Sequence, residues 1–233
     1  MFFCSCTKND TSTIILMGEE NNVADFDTLC PEILQRAMLQ HGYGSGDMSF
    51  HLVTPHNIEG KYVVDGMYIL HTNEVFRAGT DYEVQMIDHV NELNALHSDS
   101  LVFELTEQNN SSIKMHYQLF SGADLTYDIQ IDNANVAGAV IDNRGVIDTV
   151  FVLYYECVKG YPVKDSGWDC EYVSRELITG VVTKNGIKDF RFGCICHDKW
   201  GEDDYLLQRV DDYRISMDYN TQVSPDYVTP RIN

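Results

Sequence analysis

The sequence predicts an all-β fold, a small antiparallel up-and-down barrel of about eight strands with one N-terminal helix. Two observations carry this. From Ile113 to Ile131 the chain alternates apolar and polar residues on both sides of the short link Ser121–Asp124. Successive strand side chains point to opposite faces, so this period of two means strands with one dry and one wet face, joined as a hairpin. The same pattern recurs along the chain with no βαβ spacing. A meander of this kind leaves two exposed edges unless it closes, and closure removes both. A two-layer β-sandwich is the alternative.

The elements follow in order. Residues 1–27 read as a signal-like remnant and a tether, of which 7–27 are polar and acidic apart from Thr13–Met17, one short extended piece. Residues 28–46 hold the helix and a Gly-rich link. Leu29, Ile33, Ala37 and His41 share a stripe with Leu34 and Met38, with Asp27 or Thr28 as cap, Pro31 in the first turn and Gly42 as stop. Such a helix packs against the outside or one end of a sheet. The barrel domain spans 47–220. Its expected strands are 57–71, broken near Asp65-Gly66, then 81–90, 101–106 and the two arms of the hairpin. Further strands are expected at 135–142, 146–158, 170–184, 187–197 and 211–219. Asn143–Gly145 and Asn185-Gly186 are turn signals between them. Val150–Tyr155 is the most apolar run and reads as a buried strand. Residues 221–233, with Pro225 and Pro230, read as a tail.

Composition narrows the function. The formal charge is −20, from 36 acidic and 16 basic residues. Phosphate binding needs clustered Lys and Arg, so nucleic acid is excluded as a partner. No apolar run reaches the roughly 20 residues of a spanning helix. The start, Met1–Asp10, is similar to the end of a lipoprotein signal peptide, with small Ser5 before Cys6 and polar residues after it. Cys6 is therefore the candidate lipid acceptor.

The order of segments resembles that of uncharacterised lipoproteins of gut Bacteroidetes. The resemblance rests on the helix near Leu29–His41, on Pro55-His56-Asn57-Ile58-Glu59-Gly60-Lys61-Tyr62 and on Asn185-Gly186-Ile187-Lys188-Asp189-Phe190. The Phe2–Asp10 start is similar to the end of their signal peptides. What it implies is a calycin-like, lipocalin-shaped barrel tethered to the outer membrane of the cell envelope, periplasmic or surface-exposed. It implies no activity.

The seven cysteines form no C-x-x-C pair, so neither a zinc ribbon nor a thioredoxin-like site is indicated. Cys157 and Cys170 flank the loop 158–169 and are a disulfide candidate in an oxidising compartment. Cys194 and Cys196 read as buried thiols on one strand face, with His197 on the other. The eight histidines lack ligand spacing, and the acidic run Asp198, Glu202, Asp203 and Asp204 lacks the ordered ligands of an EF-hand. No metal or other cofactor is indicated. No nucleophile elbow, phosphate-cradling loop or His-Glu-x-x-His helix is present, so the chain reads as a non-enzyme.

Aromatic residues gather around the 158–169 loop. Tyr154, Tyr155, Tyr161, Trp168 and Tyr172, with Trp200, form the candidate ligand-binding set for a small apolar molecule or a glycan at a barrel mouth. Asp27-Thr28-Leu29, Asp99-Ser100-Leu101 and Asp148-Thr149-Val150 are similar to the O-glycosylation acceptor of that phylum. The expectation is a membrane-tethered exported lipoprotein that binds a small molecule, a glycan or a protein. A cytoplasmic acidic inhibitor of the immunity type is the alternative.

Overall fold

A computed structural model of the chain describes residues 15–17, 26–45, 49–74, 99–121, 124–143, 146–162, 169–183, 186–200 and 209–218. The expected strand at 81–90 lies outside these residues, as do the Cys6 region and the C-terminal tail. The strands are β1 (Ile15–Met17), β2 (His51–Val53), β3 (Gly60–Thr72), β4 (Asp99–Thr106), β5 (Ser112–Ser121) and β6 (Asp124–Asn143). They continue as β7 (Val146–Pro162), β8 (Asp169–Thr183), β9 (Gly186–Trp200) and β10 (Tyr213–Asp218).

Antiparallel pairing runs from β6 through β5, β4, β3, β10, β9 and β8 to β7, and a β6–β7 pairing brings the ends together. The result is the barrel of the first expectation, not the sandwich. The hairpin residues Ile113, Met115, Tyr117, Ile129 and Ile131 face its interior, where they pack with Phe103, Leu105, Leu153, Ile178 and Phe190. Gly66, at φ 78°, sits where the β3–β4 register slips between Val64 and Met67, the break read from Asp65-Gly66.

Two elements differ from expectation. The segments 124–131 and 135–142 are one continuous strand, because β6 changes neighbours without bending out of the sheet. Its first half pairs with β5 as far as Ala134 (opposite Ile113) and Asn135 (opposite Ser112), and its second half pairs with β7 from Asn135 to Asn143. The helix is also broken. Pro31, with φ −53° and ψ 149°, ends the first turn and restarts the helix instead of lying inside it. The pieces are α1 (Phe26–Leu29) and α2 (Glu32–Ala37), followed by a π turn at Met38–Gly42. The restart rotates the apolar stripe. Ile33 is 41% exposed, while Leu34, Met38 and Leu39 are fully buried. The wider π turn closes with Tyr43 N–H donating to Met38 O at 3.2 Å. Gln35 joins the pieces, donating to Asp27 Oδ1 at 2.9 Å and to Cys30 O at 2.7 Å.

This helical segment packs on the outer face of the barrel, over Val150, Val152, Tyr154, Leu177, Ile195, Tyr213 and Ile215. Val150–Tyr155 is consequently dry on both sides, which is why it reads as one continuous apolar run. The Pro55–Tyr62 motif is structural. Glu59 N–H donates to Asn57 Oδ1 at 2.8 Å, Ile58 N–H donates to Gln108 Oε1 at 2.7 Å, and Tyr62 O–H donates back to Ile58 O at 3.0 Å. The motif therefore pins the chain against the β4–β5 turn at one end of the barrel.

Candidate functional site

The two barrel ends differ. At one end the sequence spends two residues between β6 and β7 and two between β8 and β9. At the other end β3, β7 and β9 are joined to β4, β8 and β10 through longer stretches of sequence. The interior beside these long connections is polar, which in a barrel core is an expense to be explained.

One row of interior residues shows this directly. Thr72, Arg214, Cys194, Glu176 and Tyr155 are successive cross-strand partners on β3, β10, β9, β8 and β7. The next row toward the opposite end, Ser216, Phe192, Ile178, Leu153 and Val136, is mostly apolar. Glu176 is fully buried and forms an ion pair with Lys159, whose side chain is 5% exposed. The same carboxylate accepts from Tyr155 O–H at 2.5 Å, Ser174 Oγ–H at 3.0 Å and Tyr117 O–H at 3.3 Å. At least these four donors therefore gather on it. The Lys159 ammonium also lies 5.7 Å from the centre of the Tyr117 ring and 5.6 Å from that of Phe192.

A second buried pair extends the cluster. Arg214 Nε and a terminal nitrogen each donate at 2.9 Å to Glu74, which is fully buried. Thr72 Oγ1–H lies 3.0 Å from the same carboxylate and 2.7 Å from Tyr213 O. The two pairs are charge-balanced, one cation to one anion each.

Electrostatics make these groups holders of hydrogen bonds. Burial lowers the Lys159 pKa, but the adjoining Glu176 carboxylate outweighs that and holds the ammonium above its ordinary value. Burial, then Glu176, pushes the Tyr117 and Tyr155 phenols well up, so both stay protonated donors. Burial raises the Cys157 thiol well above its ordinary value and the Cys194 thiol to about 11, which leaves little nucleophilic thiolate near neutrality. Among the described residues no group of three or more His, Cys, Asp and Glu side chains is arranged to hold a metal ion.

The candidate aromatic set is divided by the structure. Tyr155 and Tyr172 are interior and buried. Tyr154 is buried on the outer face, edge-on to Phe26 with ring centres 4.9 Å apart, and is thus excluded from the mouth. Alternation along β7 is the reason, since neighbours cannot share a face. Trp200 is 51% exposed at the end of β9. The side chains of Tyr161 and Cys170, and all of Trp168, lie outside what is described.

The Cys157–Cys170 staple is corrected by register. Cys157 stands opposite Ser174 and Cys170 opposite Tyr161, so the two are four steps apart along the ladder, about 13 Å. A disulfide needs its Cα atoms within about 7 Å. Cys157 is instead a free, buried thiol. Cys194 and Cys196 are buried free thiols on the inner face, and His197 is exposed.

Sequence reading missed Lys159, Glu176, Arg214 and Glu74. A signal existed for the first two: Lys159 shares parity with Tyr155 and Cys157, and Glu176 with Tyr172, Ser174 and Ile178. Charged residues on the dry parity of a strand mark a buried pair.

Fold and site together define a β-barrel protein with a charge-paired cluster of buried polar side chains at one end of its interior. No protein-family model matches this chain, and neither a curated protein nor a solved structure matches it. Its function is therefore argued from its own residues.

Proposed function

We propose that this chain is a lipoprotein of the cell envelope, tethered to the outer membrane through Cys6, whose barrel captures a small molecule at the polar end of its interior. The observation that carries the reading is the Lys159–Glu176 pair with Tyr155, Tyr117 and Ser174 gathered on it. A buried ion pair adds little net stability over apolar side chains of the same volume, so its placement favours a role in recognition. A ligand suited to it has a polar group rich in both donors and acceptors, borne on a flat or apolar body that lies against Tyr117, Tyr172 and Phe192. The groups are neutral donors and paired charges, and the thiols are protonated, which supports holding a molecule rather than transforming it. The signal-like start at Met1–Asp10 supports the address.

The test is native mass spectrometry of the protein purified from its native host, followed by the same measurement after denaturation. The expected result is a chain beginning at a diacyl- or triacyl-modified Cys6, with a noncovalent small molecule lost on denaturation and absent from Lys159→Met. An unmodified chain with an empty barrel overturns the reading and returns the acidic cytoplasmic binder to first place.

A further inference from the structure

The polar cluster lies beside a gap in the barrel wall. The β6–β7 ladder stops at Asn135 opposite Tyr154, where Asn135 Nδ2 donates to Tyr154 O at 3.4 Å, and beyond this fork the two strands part. Toward the polar end β6 pairs with β5 on one edge and β7 pairs with β8, and among the described residues the two no longer pair with each other. Tyr155, Cys157 and Lys159 belong to the parted stretch of β7. Their side chains line the interior that the gap would expose.

Among the described residues one element, β1, lies in the gap. Ile15, Leu16 and Met17 pair in parallel with Asp128, Ile129 and Gln130. The same three β6 residues already bond β5 on their other edge, through Gln118, Tyr117 and His116. β1 therefore lies on the edge that faces β7, and it does sit against β7. We infer that Ile15–Met17 is a displaceable strip closing a lateral port onto the Lys159–Glu176 cluster, so that its release admits the small molecule. This deepens the capture reading and rests on it for the identity of what passes.

The strip suits that task. It is held at three positions in a parallel ladder, against nine for the β6–β7 ladder that ends at the fork. Parallel pairing is also the weaker kind per residue. Opening the strip leaves the continuous pairing of β3 through β10 intact, so the port opens without unfolding the barrel. The cost of opening is local and small compared with global unfolding.

Thiol labelling tests this without knowledge of the ligand. Cys157 lies inside the barrel on the parted stretch of β7, and Cys30 lies under the outer helical segment as an internal reference, both buried. Ile15→Pro with Leu16→Pro removes at least one backbone donor facing β6, whichever alternate set of residues supplies it. A second variant sets residues 15–17 to Gly, which weakens the strip without proline geometry. Each is treated with N-ethylmaleimide and each cysteine is followed by peptide mass.

The expected result is Cys157 modified about tenfold faster or more than in the unchanged protein, with Cys30 unaltered. Equal acceleration of both thiols, or no acceleration of Cys157 in either variant, overturns the port. The capture reading fails separately: a native protein carrying no small molecule sinks it even where Cys157 labelling shows that the port opens.

Discussion

Lys159 and Glu176 form an ion pair inside the barrel, with side chains 5% and 0% exposed. Removing one partner leaves the other charge buried and uncompensated, whereas removing both charges together does not. Lys159→Met is expected to destabilise the fold by about 3 kcal/mol or more. Adding Glu176→Gln should recover most of the loss, because Gln keeps an acceptor oxygen for Tyr155 without a charge. Urea unfolding of the two variants reads this directly. A double variant no more stable than Lys159→Met would show that the pair does not act as a unit.

The same cluster sets an alkaline limit. The folded-state pKa values of Cys157, Tyr117, Tyr155 and Lys159 all lie above their ordinary values, and that of Cys194 is about 11. A raised folded value means that the folded chain holds protons the unfolded chain releases, so stability falls as pH rises above the unfolded values. Those are about 8.5 for Cys, 10 for Tyr and 10.4 for Lys. The urea midpoint should hold steady up to about pH 8 and then decline. In Cys157→Ala the first part of that decline should be shallower.

At the outer face the sign reverses. The rings of His41 and His71 stack with centres 3.6 Å apart, and Tyr213 O–H shares a 3.2 Å hydrogen bond with His71 Nδ1. Burial, then the neighbouring His41, lowers His71 to about 4, and burial lowers His41. A depressed folded value gives stability that is present above the unfolded value and lost as pH falls toward the folded one. Between about pH 6.5 and about pH 4 the chain should lose roughly 1 kcal/mol at this site, solvent screening of the half-exposed rings included. Asp212, raised by burial, works in the opposite sense and is common to both proteins in the comparison. A thermal melt series should therefore show a shallower acid slope for His71→Phe than for the unchanged chain.

Much of the barrel was legible because its cause is local. Ile113, Met115, Tyr117, Ile129 and Ile131 alternate, and alternation is what a half-buried strand requires. Gly66 marks a slip, and Gly186 opens β9 with two residues between it and Thr183, the end of β8, for equally local reasons. What stayed hidden was set at a distance. Nothing within 124–143 tells that β6 exchanges β5 for β7 at Asn135, since both halves are equally good strands. The polar cluster was hidden because Lys159 finds Glu176 only through the β7–β8 register. An acidic chain offers many carboxylates, and only the register selects one.

The joint between helix and barrel gives the last prediction. Gly193 on β9 points outward beneath the helical segment. A Cβ there would lie 2.9 Å from Met38 Cε, 3.1 Å from Leu34 Cδ1 and 3.2 Å from Ile215 Cδ1. Met38 ends in a flexible methyl and can retreat, but Leu34 and Ile215 are fully buried and press from two other sides. Gly193→Ala should therefore cost about 1–3 kcal/mol through overpacking, although alanine is itself a better residue than glycine for an ordered backbone. The strain falls on the packing of the helical segment, so Cys30 beneath it should become more reactive to maleimide while Cys157 inside the barrel does not. Met38→Ala made on top of Gly193→Ala vacates the crowded side, and the double variant should be less destabilised than the sum of the two single changes. Strict additivity would mean that the two side chains do not meet, and the helical segment would then not be seated on β9.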